Sequence, residues 1–418
     1  MKITFFNRWR EWLPWVVWIL VGLAFVFELI RDSQRDGDFI GYVHAGQAVL
    51  SSTNIYADYL NTWPPFFSIF SVPLTLAHNF SPILIRIIWL LGIMVAWYWI
   101  INSVVKIVEN QSVSWFYSKS TVLNTKQRSW LNGAIIIPFV FVLRFIIDDL
   151  SNIQINTFLL AVSILVFKLS TEQKWWKAGF ALALIISLKV YPVFILLFFL
   201  YKRAFKISLA TLLFLILINA SSFLVFGVDL ATTYYQTWMH DKALGDLILI
   251  HKNQSIFAFL GGLFMDVSRG FDFKYNVLSL SEHAAKLLSY GLVGCAAILP
   301  AFLFRKSWKN TSTQQQWKQF AWILAAIPVL SPLAWKYYFV FLFPLIYTLW
   351  NNKKESWSFK HTRTKILIAA AALLILTTDG LLPPKVSDYF EIFGCITWGT
   401  VLLLGLGLEP EVREGTNQ

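Results

Sequence analysis

The chain has 418 residues, 57% of them hydrophobic and only 14% charged, with 20 Trp and 37 Phe. Soluble domains are nearer a quarter charged, so this composition excludes an ordinary soluble enzyme and points to an all-α integral membrane protein, a single multi-spanning helical bundle over 1–418. The net charge of +12 does not mark a nucleic-acid binder, because the basic residues fall in short clusters between apolar runs, as topology signals and contacts to anionic lipid do.

The first apolar run, Leu13 to Ile30, follows Lys2, Arg8 and Arg10. It is long for a signal-peptide core and no small-residue cleavage site follows, so it reads as a retained anchor helix. Basic clusters at Lys106 to Arg128, Lys168 to Lys177, Lys202 to Lys206, Arg305 to Lys318 and Lys353 to Lys365 are expected inside the cell. The acidic or balanced segments 31–64, 144–152, 227–284 and 383–389 are expected outside. Threading the apolar runs accordingly gives spans near 13–30, 81–105, 130–147, 153–167, 175–189, 191–201, 207–226, 285–304, 319–332, 335–350, 364–382 and 389–408, about twelve in all, with both termini inside. The stretch Pro64 to Ala77 is then re-entrant or interfacial. It belongs to a first outer loop over 31–80, and a second large outer loop covers 227–284.

Two of these pairs are short. The segment Trp175 to Tyr201 has to enter and return, with legs of only about 20 Å against a hydrocarbon thickness of about 30 Å. Its tip, SLKVYP, places Lys189 at the turn. The segment Phe320 to Trp350 behaves alike, and its tip SPLAWKYY carries Lys336 and Tyr337. Charges at membrane depth usually line a cavity, and two converging lysines would make an anion site, with snorkelling to the surface as the alternative. The tryptophans at Trp9 to Trp18 and at Trp175 and Trp176 read as interfacial belts. Trp63, on the outer side, is the better candidate for stacking on a sugar. Cys295 and Cys395 lie in apolar runs without metal-ligand spacing, and no pair of histidines has ligand spacing either, so no metal site is expected.

Five elements then share one pattern. DFIGYVHAGQAVLSSTNIY carries Asp38, Tyr42, Ala45 and Tyr56, followed by WPPF. SNIQINTFLL opens a helix, LKVYPVFILLFFLYKR runs from a lysine through Pro192 to basic residues, NQSIFAFL lies in the second large loop, and LSPLAWKYYFVFLFP closes the set. In this order they resemble the polytopic glycosyltransferases of the GT-C class, and most closely glycosyltransferase family 87, the polyprenyl-phosphate-mannose-dependent α-mannosyltransferases. The last element departs from that family's pattern, since Lys336 and Tyr337 stand where it usually has Asp-His. The resemblance implies a GT-C helical bundle in the cytoplasmic membrane, with its active site on the extracytoplasmic side. It implies an inverting, metal-independent transfer of mannose or another hexose from a polyprenyl-phosphate donor to a glycan or glycolipid acceptor, with no cofactor.

Such a transfer needs a base for the acceptor hydroxyl and cations for the departing phosphate. Asp38 matches the family's catalytic position, and Asp36 is the second choice. Without the resemblance, these aspartates read as a helix cap before Phe39. Lys189 is the first candidate for the donor phosphate, with Lys336 and Lys252 behind it. Asn253 and Gln254 are candidates for holding the loop or touching sugar hydroxyls. Tyr42, Tyr337, Trp63, Arg144 and Asn156 complete the expected substrate site. For Arg144 an acidic partner is an equal alternative, and for Asn152, Gln154 and Asn156 the alternative is hydrogen bonding within the bundle. A transporter of lipid-linked sugars would fit the same composition, but neither DGDF nor LKVYP recurs in the second half. A polysaccharide polymerase or ligase would fit too, but the arginines here are mostly on the side expected inside, the two termini included.

Overall fold

The computed structural model describes residues 16, 19–20, 22–115, 127–130, 132–243, 247–270, 273–351, 357–376, 378 and 381–408. The basic and Trp-rich N-terminus, residues 116–126 of the cluster Lys106 to Arg128 and part of Lys353 to Lys365 lie outside the described residues. Within them, a helix over 22–33 (α1) leads to α2 (Phe39–Leu50) and α3 (Pro65–Phe80). The long α4 (Pro82–Glu109) follows, then α5 (Gly133–Ser151), α6 (Asn156–Thr171), α7 (Trp175–Leu188), α8 (Val193–Tyr201), α9 (Phe205–Phe226) and α10 (Val228–Thr237). The chain continues through α11 (Ile256–Phe264), α12 (Glu282–Leu303), α13 (Thr313–Leu330), a 3-10 helix (Lys336–Leu342), α14 (Phe343–Trp350), α15 (Trp357–Leu376), α16 (Pro384–Ile392) and α17 (Cys395–Gly407). One departure from an all-helical chain is a parallel pair of three-residue strands, Ser112–Ser114 and Gln127–Ser129, in register Ser112 to Gln127. Strands this short carry no period that a sequence pattern could reveal.

Each expected apolar run has a helix, yet few are long enough to cross a bilayer alone. Among the described residues, α4, α9 and α12 are long and apolar enough, and the pair α16–α17, bent by 53°, makes a fourth if taken as one span. The bend falls at Gly394, whose φ of +66° suits glycine. Local signals set the long helices. Ser81 caps α4 by accepting from the Leu84 amide, Pro82 occupies its first position, and Asn110 ends it in the left-handed conformation with Lys106 in the last turn. Ser281 caps α12 in the same way.

The stretch expected to be re-entrant or interfacial is α3, and it packs along α2. Thr75 Oγ1 on α3 donates to the Val43 carbonyl at 2.9 Å, where Gly46 allows the backbones to approach. The apolar core runs through α4–α8, α13, the 3-10 helix and α14, with Phe145, Phe167, Phe320 and Phe339 fully buried. The bundle has two polar ends. At one, Lys202 Nζ donates to the Phe304 carbonyl at 2.9 Å and to Thr311 Oγ1 at 3.4 Å, joining two basic clusters that the sequence puts on the same side. At the other end, the segments following α1, α5, α7 and α13 converge, with the end of α16 beside them.

Candidate active site

Asp38 is the residue before α2 and is part-exposed, but its carboxylate does not cap that helix. It turns instead to residues far along the chain. Gly37, at φ +51°, brings the turn so close to Asn152 that a Cβ would lie 2.9 Å from the Asn152 carbonyl oxygen, and that carbonyl accepts from the Asp38 amide at 3.1 Å. Asp38 Oδ2 accepts from Gln154 Nε2 and, at 3.1 Å, from the Tyr337 hydroxyl.

Gln154 Oε1 faces the other way. It accepts from Lys189 Nζ at 3.2 Å and from the Tyr42 hydroxyl at 2.9 Å. The orientation of the amide follows from chemistry: an ionised carboxylate only accepts and an ammonium only donates, so one amide can bridge them in one sense. Asn156 repeats the arrangement on the far side of the lysine. Its Oδ1 accepts from Lys189 Nζ at 3.2 Å and from the Tyr191 hydroxyl at 2.7 Å, while its Nδ2 donates to Asp149 Oδ1 at 3.0 Å. Asp149 is fully buried and also accepts from Thr157 Oγ1 at 2.6 Å. The result is a line of alternating charge, Asp38, Lys189, Asp149, with a neutral amide between each pair.

Lys189 is only 6% exposed and leaves α7 in extended backbone. Its ammonium lies 4.9 Å from the ring centre of Tyr338 and 5.5 Å from that of Tyr337, which form the start of the 3-10 helix. Aromatic faces stabilise a cation without neutralising it. Ile153, between the two polar residues Asn152 and Gln154, has φ +51°. A β-branched side chain there costs roughly 1–2 kcal/mol, and the turn it makes is what aims Gln154 at Asp38 and Lys189.

The site residues expected from sequence separate into two groups. Asp38, Tyr42, Asn156, Lys189 and Tyr337 come together. Asp36 turns to Arg86, a buried guanidinium that also donates to the Ser33 carbonyl at 3.3 Å. Trp63 is on the same wall but 7% exposed, packed 4.9 Å from Tyr42 and 4.6 Å from Phe67, so its faces are covered by protein. Lys252 is exposed on its loop. Asn253 and Gln254 brace the loop before the 3-10 helix: Asn253 Nδ2 donates to the Pro332 carbonyl at 3.0 Å, Asn253 Oδ1 accepts from the Ala334 amide at 2.9 Å, and Gln254 N donates to the Ala334 carbonyl at 2.8 Å.

Lys336 and Arg144 meet at a second centre. Lys336 Nζ is ion-paired with Glu391 on α16, and Arg144 lies 3.8 Å from the same carboxylate, which is fully buried. His251 and Asp388 are beside it, 3.4 Å apart. His251, Asp388 and Glu391 bring ligand atoms within 4.8 Å of one another, but the two cations facing Glu391 already supply the charge that a divalent ion would bring. Gln154, Tyr191, Tyr338, Asp149 and Glu391 are not singled out as site residues by sequence. The signal for the first four is their place beside Asn156, Lys189 and Tyr337. Glu391 has only its position in an otherwise apolar run.

Comparison with known proteins bears on this site directly. The family model of glycosyltransferase family 87 matches residues 61–297, more than half of the chain. The matched range holds Gln154, Asn156 and Lys189, while Asp38 and Tyr337 lie on either side of it. Over 305 residues the chain is 23% identical to a polyprenol-phosphate-mannose-dependent alpha-(1-2)-phosphatidylinositol mannoside mannosyltransferase of Mycolicibacterium smegmatis, an alignment covering 69% of this chain and 64% of that relative. The chain thus spans somewhat less than two thirds of that relative's length. No solved structure matches the chain.

Proposed function

Because the chain belongs to glycosyltransferase family 87, we propose that it is a membrane-embedded inverting mannosyltransferase that takes its sugar from a polyprenyl-phosphate donor. The acceptor is a glycan or glycolipid hydroxyl on the extracytoplasmic side of the cytoplasmic membrane. The observation that carries this reading is the line Asp38–Gln154–Lys189, in which a part-exposed carboxylate and a buried ammonium are held apart by one amide.

In the reaction Asp38 accepts the proton of the acceptor hydroxyl as its oxygen attacks the anomeric carbon from the face opposite the phosphate. The bond from that carbon to the phosphate oxygen breaks, the phosphate leaves with the electron pair, and the anomeric configuration inverts. Lys189 meets the charge that gathers on the leaving phosphate. At about 4 Å and an effective dielectric of about 20, the Coulomb attraction alone is about 4 kcal/mol, before the cost of desolvating the two charges. Because Lys189 is held by amide oxygens and rings rather than by a direct carboxylate partner, its charge remains for that phosphate. In this reading the lysine, rather than a metal ion, meets the charge, and Tyr337 fixes the carboxylate that removes the proton.

The test is turnover of polyprenyl-phosphate-mannose by the purified protein in lipid nanodiscs. Asp38→Asn keeps the shape of the side chain and removes its basicity, and the expected loss is about 100-fold or more with an unchanged thermal midpoint. An Asp38→Asn variant as fast as the unmodified protein would remove Asp38 as the base. Absence of donor consumption by the unmodified protein across a panel of polyprenyl-phosphate sugars would remove the reading as a whole.

A further inference from the structure

We infer that Glu391 is a positioning residue for this transfer: through its ion pair with Lys336 it sets where the Tyr337 hydroxyl stands against Asp38. The inference rests on the mannosyltransferase reading for its kinetic part, and on geometry alone for the rest. Glu391 lies at the end of α16, fully buried, and faces Lys336 and Arg144. Lys336 opens the 3-10 helix, and Tyr337 is the next residue. With three residues per turn, neighbours in such a helix point about 120° apart. Lys336 therefore reaches α16 while Tyr337 reaches Asp38, and a rotation of this single turn moves both.

The loop before the turn is fastened on its other side. Asn253 holds Pro332 and Ala334, Gln254 holds Ala334, and Ser255 Oγ donates to the Pro332 carbonyl at 3.1 Å. Gln254 Nε2 also donates to the Glu391 carbonyl at 2.9 Å, so the same bracing loop fixes α16. Glu391 and the 253–255 turn thus grip the 331–336 segment from two directions, and Tyr337 and Tyr338 emerge from that grip against Asp38 and Lys189. A buried ion pair is a poor way to add stability, since apolar replacements of equal volume often do as well. It is a good way to define one geometry, because its attraction depends on direction and distance.

Three measurements decide the matter. The first is a double-mutant cycle in kcat with polyprenyl-phosphate-mannose as donor. Glu391→Gln is expected to lower kcat about tenfold with the donor KM within about twofold, and to have no more than about a twofold effect in the Tyr337→Phe background. Equal losses in both backgrounds would mean that Glu391 acts by another route, and the proposal would fall. The second guards against a variant that does not fold, because Glu391→Gln leaves two buried cations facing an amide. The triple variant Lys336→Met, Glu391→Met and Arg144→Met removes all three charges, and is expected to keep the thermal midpoint while kcat stays low; full activity in it would overturn the proposal. The third needs no activity. With 3-fluorotyrosine in place of Tyr337, the ¹⁹F resonance should shift on Glu391→Gln, and a resonance that stays put would overturn the inference even if the donor proves not to be a polyprenyl-phosphate sugar.

Discussion

Lys189 is surrounded by oxygens that carry no formal charge. Direct pairing with Asp38 or Asp149 would spend its charge inside the protein, whereas Gln154 and Asn156 hold the ammonium and leave it able to meet an anion. Removing it should therefore act on the donor. Lys189→Met keeps the apolar stem and loses the head. The loss of one charge-assisted contact, roughly 1.5–3 kcal/mol, predicts a kcat/KM for the donor lowered about 10- to 100-fold with the acceptor KM unchanged, measured by steady-state kinetics in nanodiscs. An effect on the acceptor alone would place the phosphate elsewhere. Lys189 was legible in the sequence because a charge inside an apolar run is costly and rarely accidental. Gln154 was not, because an amide there costs little and serves equally well as ordinary helix–helix glue. Glu391 was legible only as a residue at the start of the last apolar run, since nothing in a linear pattern says that it faces Lys336.

At the scale of elements, the start of α2 was legible and the use of Asp38 was not. The sequence reading left Asp38 as either a helix cap or a base, and α2 does begin at Phe39, but without a side-chain cap bond. The Gly41 amide donates to the Asp38 backbone carbonyl at 3.0 Å, and the carboxylate is turned across to Gln154 and Tyr337. The seating of α2 on α3 fixes that direction. At Gly46 an added Cβ would stand 2.2 Å from Thr75 Oγ1 and 2.6 Å from the Ser71 carbonyl oxygen, and the latter is backbone that no rotamer change can move. Gly46→Ala should thus push α2 off α3 at a cost of about 1–3 kcal/mol. Thermal unfolding should register the loss, and turnover should fall with it because Asp38 rides on the moved helix. An alanine variant with the original midpoint would mean that the two helices are free to separate. The grip of the 253–255 turn on Pro332 and Ala334 was beyond sequence, because it pairs loops that only the folded bundle brings together.

For the whole molecule, charge patterning sorted the loops into two groups, and the described loops of each group meet at one end of the bundle. The sorting rests on positive clusters being avoided on one side of a membrane; the count of full crossings was less legible, because hydropathy alone does not tell a short packed helix from one that crosses. Lys202 joins the basic end, with its backbone carbonyl accepting from Trp308 at 2.6 Å and its ammonium on Phe304 and Thr311. Burial, reinforced by the charge on Lys306, pulls its ammonium down from near 10.5 to about 8. A depressed lysine penalises the folded state below about pH 8, and the penalty fades as pH climbs toward 10.5. The unmodified protein should therefore gain thermal stability relative to Lys202→Met across that window. A difference between the two that stays flat with pH would mean that the amine bears no such penalty.

The nine-residue α8 has one further implication. It is about 14 Å long, and a basic cluster at Lys202, Arg203 and Lys206 pins one of its ends to a membrane face. Its other end, at the Pro192 corner beside Lys189, thus stops part-way through a hydrocarbon slab of about 30 Å. Asp38, the part-exposed acid of that site, would then meet the sugar of the proposed donor at that depth, with no need for it to be hoisted clear of the bilayer first.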